Sequence, residues 1–246
     1  MPHRYYCPSL QLGQFPLSTA EAQHAVKVMR NSVGDQIEVF DGKGGLGSAE
    51  ITQVERRNVT VQVTELRQVP RPPMSNLVVA AAPPRGDRVK WMVEKLTELG
   101  ASQFIPLETD RSVTYPGQGK LSKLESTVIG ACKQCRRLYA LEICQPVSLT
   151  SVLEDPTATF WLGHPESNSS LAVSALAVSE LDRETKHVIL IGPEGGFTDG
   201  EVAEIRSRDA KILTWPDTIL RIETAAIMSL VTVKNLLAGC LGSERS

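Results

Sequence analysis

Apolar and polar residues alternate over positions 37–40, 49–54 and 59–64, the period expected of strands with one buried face. Between the first two runs lies Asp41-Gly42-Lys43-Gly44-Gly45, whose flexible, positive-φ chemistry suits a hairpin loop. Within the first 70 residues only positions 19–30 read as helix, with Ala22, Val26 and Met29 on one face. This is the pattern of a small β-rich module. It ends in Val69-Pro70-Arg71-Pro72-Pro73, where three prolines fix the backbone and forbid helix. The spacing therefore predicts two domains, 1–72 and 73–246.

Beyond the prolines the texture changes. Apolar strand candidates at 77–81, 104–107, 159–162, 188–191 and 211–214 alternate with amphipathic stretches at 89–99, 121–135, 201–208 and 224–237. Strand and helix alternating at this spacing predict an α/β domain, a parallel sheet covered by helices on both faces. Ligands of such sheets bind beyond the carboxyl ends of the strands. Positions 167–170 read as a polar loop, and no internal repeat is evident.

Composition narrows the classes. Of 246 residues, 41% are hydrophobic and 5% aromatic, so the core is expected to be aliphatic. Twenty-six Lys and Arg against 28 Asp and Glu give a formal charge of −2, which argues against a binder held to nucleic acid by bulk charge. Five scattered cysteines in a chain of this length do not describe a secreted disulfide framework, and a reducing cytosol is expected. No apolar signal-peptide core follows the start, and no run of about 18 apolar residues suggests a membrane span. The expectation is a soluble cytoplasmic protein.

Two segments carry the chemistry. In the first, strand 188–191 runs into Gly192-Pro193-Glu194-Gly195-Gly196-Phe197-Thr198, where missing β-carbons let backbone approach a ligand. Thr198 and Glu201 have capping-box spacing, so a helix should start at once. An ordinary strand-to-helix connection has the same texture. Neither a dinucleotide fingerprint nor a phosphate-binding loop is present. In the second segment, Ile219-Leu220-Arg221-Ile222-Glu223-Thr224-Ala225, two charges sit among aliphatic residues at a helix entrance, where a buried charge must be paired or used. An Arg221–Glu223 pair tying down the helix start is the plain alternative. A weaker third segment, Leu162-Gly163-His164-Pro165, is another strand running into a turn.

Together, Gly-Pro-Glu-Gly-Gly-Phe-Thr and Leu-Arg-x-Glu-Thr-Ala resemble the ribosomal RNA uridine-N3 methyltransferases of the SPOUT superfamily. The likeness extends over nearly the whole chain. Arg4-Tyr5-Tyr6, His24 with Val28-Met29-Arg30, Gly34-Asp35 and Phe40-Asp41-Gly42 are similar to the family's PUA-like RNA-binding domain. Lys95-x-x-Glu98-Leu99-Gly100, Pro106-Leu107, Arg111-Ser112 and Gln134-x-x-Arg137 are similar to its middle signatures. The resemblance implies methyl transfer from S-adenosylmethionine to N3 of a uridine in 16S ribosomal RNA, free or in the small ribosomal subunit. It also implies a homodimer, no membrane partner, and a trefoil-knotted C-terminal sheet beside a PUA-like β-barrel.

Carried onto this chain, the resemblance assigns cofactor contacts to Leu162, Gly163 and His164, to Ile191, Gly192, Pro193, Glu194, Gly195 and Gly196, and to Leu213, Ile219, Leu220, Thr224 and Ala225. Backbone amides and carbonyls would do most of that work. Arg221 would stabilise the uracil anion, and Glu223 would orient it or relay the N3 proton. The chain departs from the family pattern at Pro216-Asp217-Thr218, usually Gly-x-Arg, at Ile222, commonly Thr, at Lys133, often Glu, and at Leu141, often Pro.

Uridine N3 lies on the Watson–Crick edge, so the base must leave its helix and the RNA needs a further grip. Residues 111–145 hold six basic and two acidic residues. Arg111, Lys133, Arg136 and Arg137, with Arg4, Arg30 and Arg88, are the expected phosphate contacts. Cys132-Lys133-Gln134-Cys135 invites a zinc reading, but no second pair stands at ligand spacing, so thiols rather than a metal site are expected. A ribosome-assembly factor that binds RNA without catalysis is the main alternative class. A metabolic enzyme acting on a small molecule is disfavoured by the lack of nucleophile, metal or dinucleotide motifs.

Overall fold

The structure, a computed structural model, describes residues 2–56, 58–73, 75–112, 118–165, 182–215 and 218–239, the side chains of 118–122 excepted. The serine loop at 167–170, Pro216, Asp217, Cys240 and the Lys120 side chain lie outside what is described. The chain forms two compact units, one running to Arg71 and taking in Ile129–Ala140, the other comprising Pro72–Val128 and the chain from Leu141 onward. The first unit thus reaches beyond the expected 1–72.

In the first unit β1 (Arg4–Tyr6), β2 (Gly13–Pro16), β3 (Gln36–Phe40), β4 (Gly45–Glu55) and β5 (Asn58–Gln68) form one sheet in the order β1-β3-β4-β5-β2. The hairpin between β3 and β4 forms as its loop chemistry predicted. Gly42 and Gly44 take positive φ, and Asp41 Oδ1 accepts the Lys43 and Gly45 amides at 2.7 and 2.8 Å. Alternation along β3 to β5 buries Val39, Ile51 and Val61 completely beside Tyr5 and Ala22. The helix expected over 19–30 is shorter: α1 (Thr19–Gln23) gives way to a π-helical turn, His24–Val28, and the chain leaves it through Arg30 at φ 55°.

Ile129–Ala140 joins this unit because its polar groups find partners there. Ala140 N donates to Gly42 O at 2.8 Å, Gly44 N to Leu138 O at 3.1 Å, and the Tyr139 hydroxyl to Val69 O at 2.7 Å.

The second unit contains a parallel sheet, β12-β10-β11-β6-β7-β8, built from β6 (Leu77–Ala81), β7 (Gln103–Glu108), β8 (Glu142–Ile143), β10 (Thr159–Gly163), β11 (His187–Ile191) and β12 (Lys211–Leu213); β9 (Val147–Ser148) adds to β7. The helices are α2 (Arg88–Leu99), α3 (Gln118–Cys135), whose last turns belong to the first unit, α4 (Leu149–Leu153), α5 (Asp199–Arg206) and α6 (Ile222–Gly239). Val78, Ala80, Leu162, Val188 and Leu190 pack with Leu149 and Leu153 of α4 and Ile205 of α5. On the strands' other face α6 lies against β6, β10 and β11 and beside α2. Helix α6 is long and apolar enough to cross a membrane by length and composition, yet Ala226, Leu230, Val233 and Leu237 are fully buried within this unit. It is a core helix.

Candidate active site

Three parallel strands, β10, β11 and β12, end side by side, so the loops that follow them converge. His164 N donates to Leu213 O at 3.0 Å, tying the first loop to the end of the third strand. The second loop folds back on itself through Gly196 N to Pro193 O at 2.8 Å, with Gly196 at φ 70°. Thr198 then caps α5, and the expected capping box with Glu201 is formed.

These loops and the start of α6 enclose a cavity of about 410 Å³. Gly163, His164, Ile191, Gly192, Pro193, Glu194, Gly195, Gly196, Ile219, Leu220 and Ala225 line it, as do Arg88 and Arg221. Two glycines leave room that a side chain would fill. A β-carbon on Gly192 would lie 3.1 Å from both the backbone nitrogen and the ring of Phe197, and one on Gly163 would strike the end of Ile191. His164 Nδ1 is buried with no hydrogen-bond partner among the described residues.

Leu162, Leu213 and Thr224, assigned to the cofactor by motif position, stand outside the cavity wall. Leu162 packs in the sheet core and Leu213 is buried, its carbonyl accepting the His164 amide. Trp215 and Phe197 line the cavity without having been singled out. The available signal was an aromatic residue in each of two loops that follow parallel strands, Trp215 two positions beyond β12 and Phe197 six beyond β11.

Glu223 is 5% exposed, and its Oε2 has no hydrogen-bond partner among the described residues. Its cation is Arg88, at 3.7 Å, and not Arg221. Arg88 opens α2, which packs against α6, and it also reaches Glu194 at 3.4 Å. Arg221 precedes α6 and is exposed, so the buried Arg221–Glu223 pair does not form and the Arg221 charge is solvated.

The expected phosphate contacts divide. Arg4 is 8% exposed, pairs with Glu38 at 2.7 Å and donates to Arg136 O at 2.6 Å; Arg136 itself pairs with Glu38 at 2.6 Å. Lys133 is held by Glu21 at 2.9 Å and His24 Nδ1 at 3.2 Å. Arg137 is half-buried, and burial lowers its pKa. Arg111 bonds the cavity loop and Arg88 lines the cavity. Arg30 is exposed. The basic excess of 111–145 was counted along the chain, whereas the neutralising Glu21 and Glu38 come from far away in sequence. Cys132 is buried and Cys135 half-buried, neither in a disulfide, and among the described residues no group of three His, Cys, Asp or Glu could hold a metal.

The model of an RNA methyltransferase domain matches residues 70–234, and that of an RNA methyltransferase PUA domain matches 17–64. The ribosomal RNA small subunit methyltransferase E of Rickettsia conorii is 31% identical over 227 residues, covering 88% of each chain. The chain belongs to this methyltransferase E family. The member from Bacillus subtilis is 29% identical over 89% of each chain. A structure from Legionella pneumophila, described as a methyltransferase in complex with the bound cofactor SAM, matches with a TM-score of 0.82 at 30% identity, over 96% of this chain and 98% of that one. By family, then, residues 70–234 are an RNA methyltransferase domain and residues 17–64 an RNA methyltransferase PUA domain.

Proposed function

We propose that this chain transfers the methyl group of S-adenosylmethionine to N3 of a uridine in 16S ribosomal RNA. The observation that carries the reading is the meeting of three strand-end loops around one cavity, with the buried, under-coordinated Glu223 behind its wall and paired to the cavity-lining Arg88. The residues suit the cofactor: Gly163 and Gly192 keep the wall free of β-carbons, and His164 Nδ1 offers an unmet polar atom. The Legionella protein, which shares this fold, holds SAM according to its description. Gly163, His164 and residues 191–196 would hold the adenosine part, with Ile219, Leu220 and Ala225 closing the other side.

When bound, the sulfonium supplies a methyl group already activated toward attack. The chain's own task is to make N3 a nucleophile, which requires removing its proton and stabilising negative charge on the uracil oxygens. Arg221, exposed at the cavity wall, is free to face that charge. Glu223, paired with the cavity-lining Arg88, keeps Oε2 without a hydrogen-bond partner among the described residues and takes the N3 proton through water. Help of this kind is worth roughly 10² to 10⁴ in rate.

The same reading extends to a homodimer acting in the cytoplasm without a metal, with the loops threaded as a trefoil knot and the first unit closed as a PUA-like barrel. Exposed Trp91 on α2 and Met228 on α6 supply apolar surface suited to a second copy. The test is mass spectrometry of 16S ribosomal RNA from a deletion strain, with and without the restored gene. Loss of one 3-methyluridine that returns on complementation is expected; unchanged RNA overturns the reading.

A further inference from the structure

The loop at 192–197 has three glycines, and such a segment loses more conformational freedom on ordering than any other composition. Something outside it must fix its shape if it is to meet a ligand preformed. Arg111 does so. Its Nη1 donates to Gly195 O at 2.8 Å and to Phe197 O at 3.3 Å, so a cation holds the carbonyls on both sides of Gly196. The aliphatic stem of Arg111 also covers Gly195, whose absent β-carbon would lie 3.4 Å from Arg111 Cδ.

Arg111 is itself presented from a closed turn after β7. Thr109 N donates to Ser112 Oγ at 3.2 Å, and Ser112 N to Thr109 O at 3.0 Å. The preceding residue, Asp110, is tied to the same loop's exit: its amide donates to Glu201 Oε1 at 2.9 Å, while Glu201 Oε2 accepts the Thr198 amide at 2.7 Å. Two consecutive residues of one turn therefore grip the glycine loop at Gly195, Phe197 and, through Glu201, Thr198.

We propose that Arg111 is a positioning residue for the methyl donor, holding the glycine loop in its binding shape, and not a contact for RNA phosphate. The proposal rests on the cofactor occupying this cavity. It deepens that reading by naming the residue outside the wall on which affinity depends.

The test compares wild type, Arg111→Met and Arg111→Lys by calorimetry with S-adenosylmethionine and by RNA binding across a salt series. The Met variant removes both bonds. The Lys variant keeps the charge but ends one atom short, so a phosphate contact would survive while the loop contacts weaken. Expected is a rise in cofactor Kd of about tenfold for Met, equivalent to ~1.4 kcal/mol, a smaller rise for Lys, and an unchanged salt slope for RNA in both. The proposal is overturned by wild-type cofactor affinity in the Lys variant, which also decides the matter should the Met variant fail to fold. A salt slope reduced by about one in the Met variant with cofactor affinity intact overturns it equally and makes Arg111 a phosphate ligand. Wild-type protein that binds no S-adenosylmethionine defeats the proposed function itself, whereas cofactor binding indifferent to Arg111 defeats only this inference.

Discussion

Arg88 and Glu223 stand 3.7 Å apart, a pair that joins the first residue of α2 to the first turn of α6. Glu223 is buried while Arg88 is half-exposed, and one carboxylate oxygen is left without a hydrogen bond among the described residues. A buried acceptor with nothing to accept is uncommon in a stable core and suits a group kept ready for a substrate. Glu223→Gln preserves the shape and removes the charge. We expect its methylation turnover at saturating cofactor to fall at least about 10²-fold, with cofactor Kd within about threefold of wild type in calorimetry; undiminished turnover removes Glu223 from the mechanism.

The two cavity glycines should differ in their tolerance of a methyl group. In Gly163→Ala the nearest atom is the far end of the Ile191 side chain, which can rotate aside. In Gly192→Ala one of the two atoms at 3.1 Å is the Phe197 backbone nitrogen, so the loop itself must shift. We expect Gly192→Ala to weaken S-adenosylmethionine binding about tenfold or more, and Gly163→Ala distinctly less, in parallel titrations of folded protein. The reverse order would mean that the first loop, and not the second, sets the cavity's shape.

Periodicity sufficed for β6, whose five apolar residues match the expected 77–81, and for α2, where Gly100 at φ 96° ends the helix. It failed on short elements. The strands β1, β2, β8 and β9 have two to four residues each, too few to display a period, and they exist because longer strands offer them edges. The site was legible where chemistry is local, as in the Thr198–Glu201 cap. Pairing was not legible. Arg88 meets Glu223 and Arg111 meets Gly195 across 135 and 84 positions, and a tertiary packing decides both. Charge counted along 111–145 likewise leaves out Glu21 and Glu38, which pair with Lys133 and Arg136.

Glu38 carries two arginines, Arg4 at 2.7 Å and Arg136 at 2.6 Å, in the first unit. Arg4 is nearly inaccessible, so we expect its role to be structural. Glu38→Ala should leave that buried cation without its carboxylate, costing about 2 to 3 kcal/mol in denaturant unfolding. Arg4→Ala should lower stability while leaving the salt dependence of RNA binding unchanged. Loss of RNA affinity at constant stability would return Arg4 to the RNA-binding surface.

His187 ties the pH dependence of stability to the sheet of the second unit. Trp161 Nε1 donates to its Nδ1 at 3.3 Å, so Nδ1 must be bare and the proton belongs on Nε2, 3.0 Å from Asp182 O. A second proton would break the tryptophan bond. Burial holds the His187 pKa below its ordinary value, against the opposing influence of Asp182 and with a minor contribution from Lys211. As pH falls below about 6.5 the unfolded chain takes up a proton that the folded chain resists, so stability declines by up to about 1.4 kcal/mol per pH unit for this group. Above that pH the contribution is complete. His24, also shifted downward by burial, adds to the wild-type slope, so the measurement is the difference between wild type and His187→Asn. Denaturant unfolding between pH 5 and 7.5 should show a shallower decline on the acid side in the variant; parallel curves would mean that His187 keeps its neutral form in neither state preferentially.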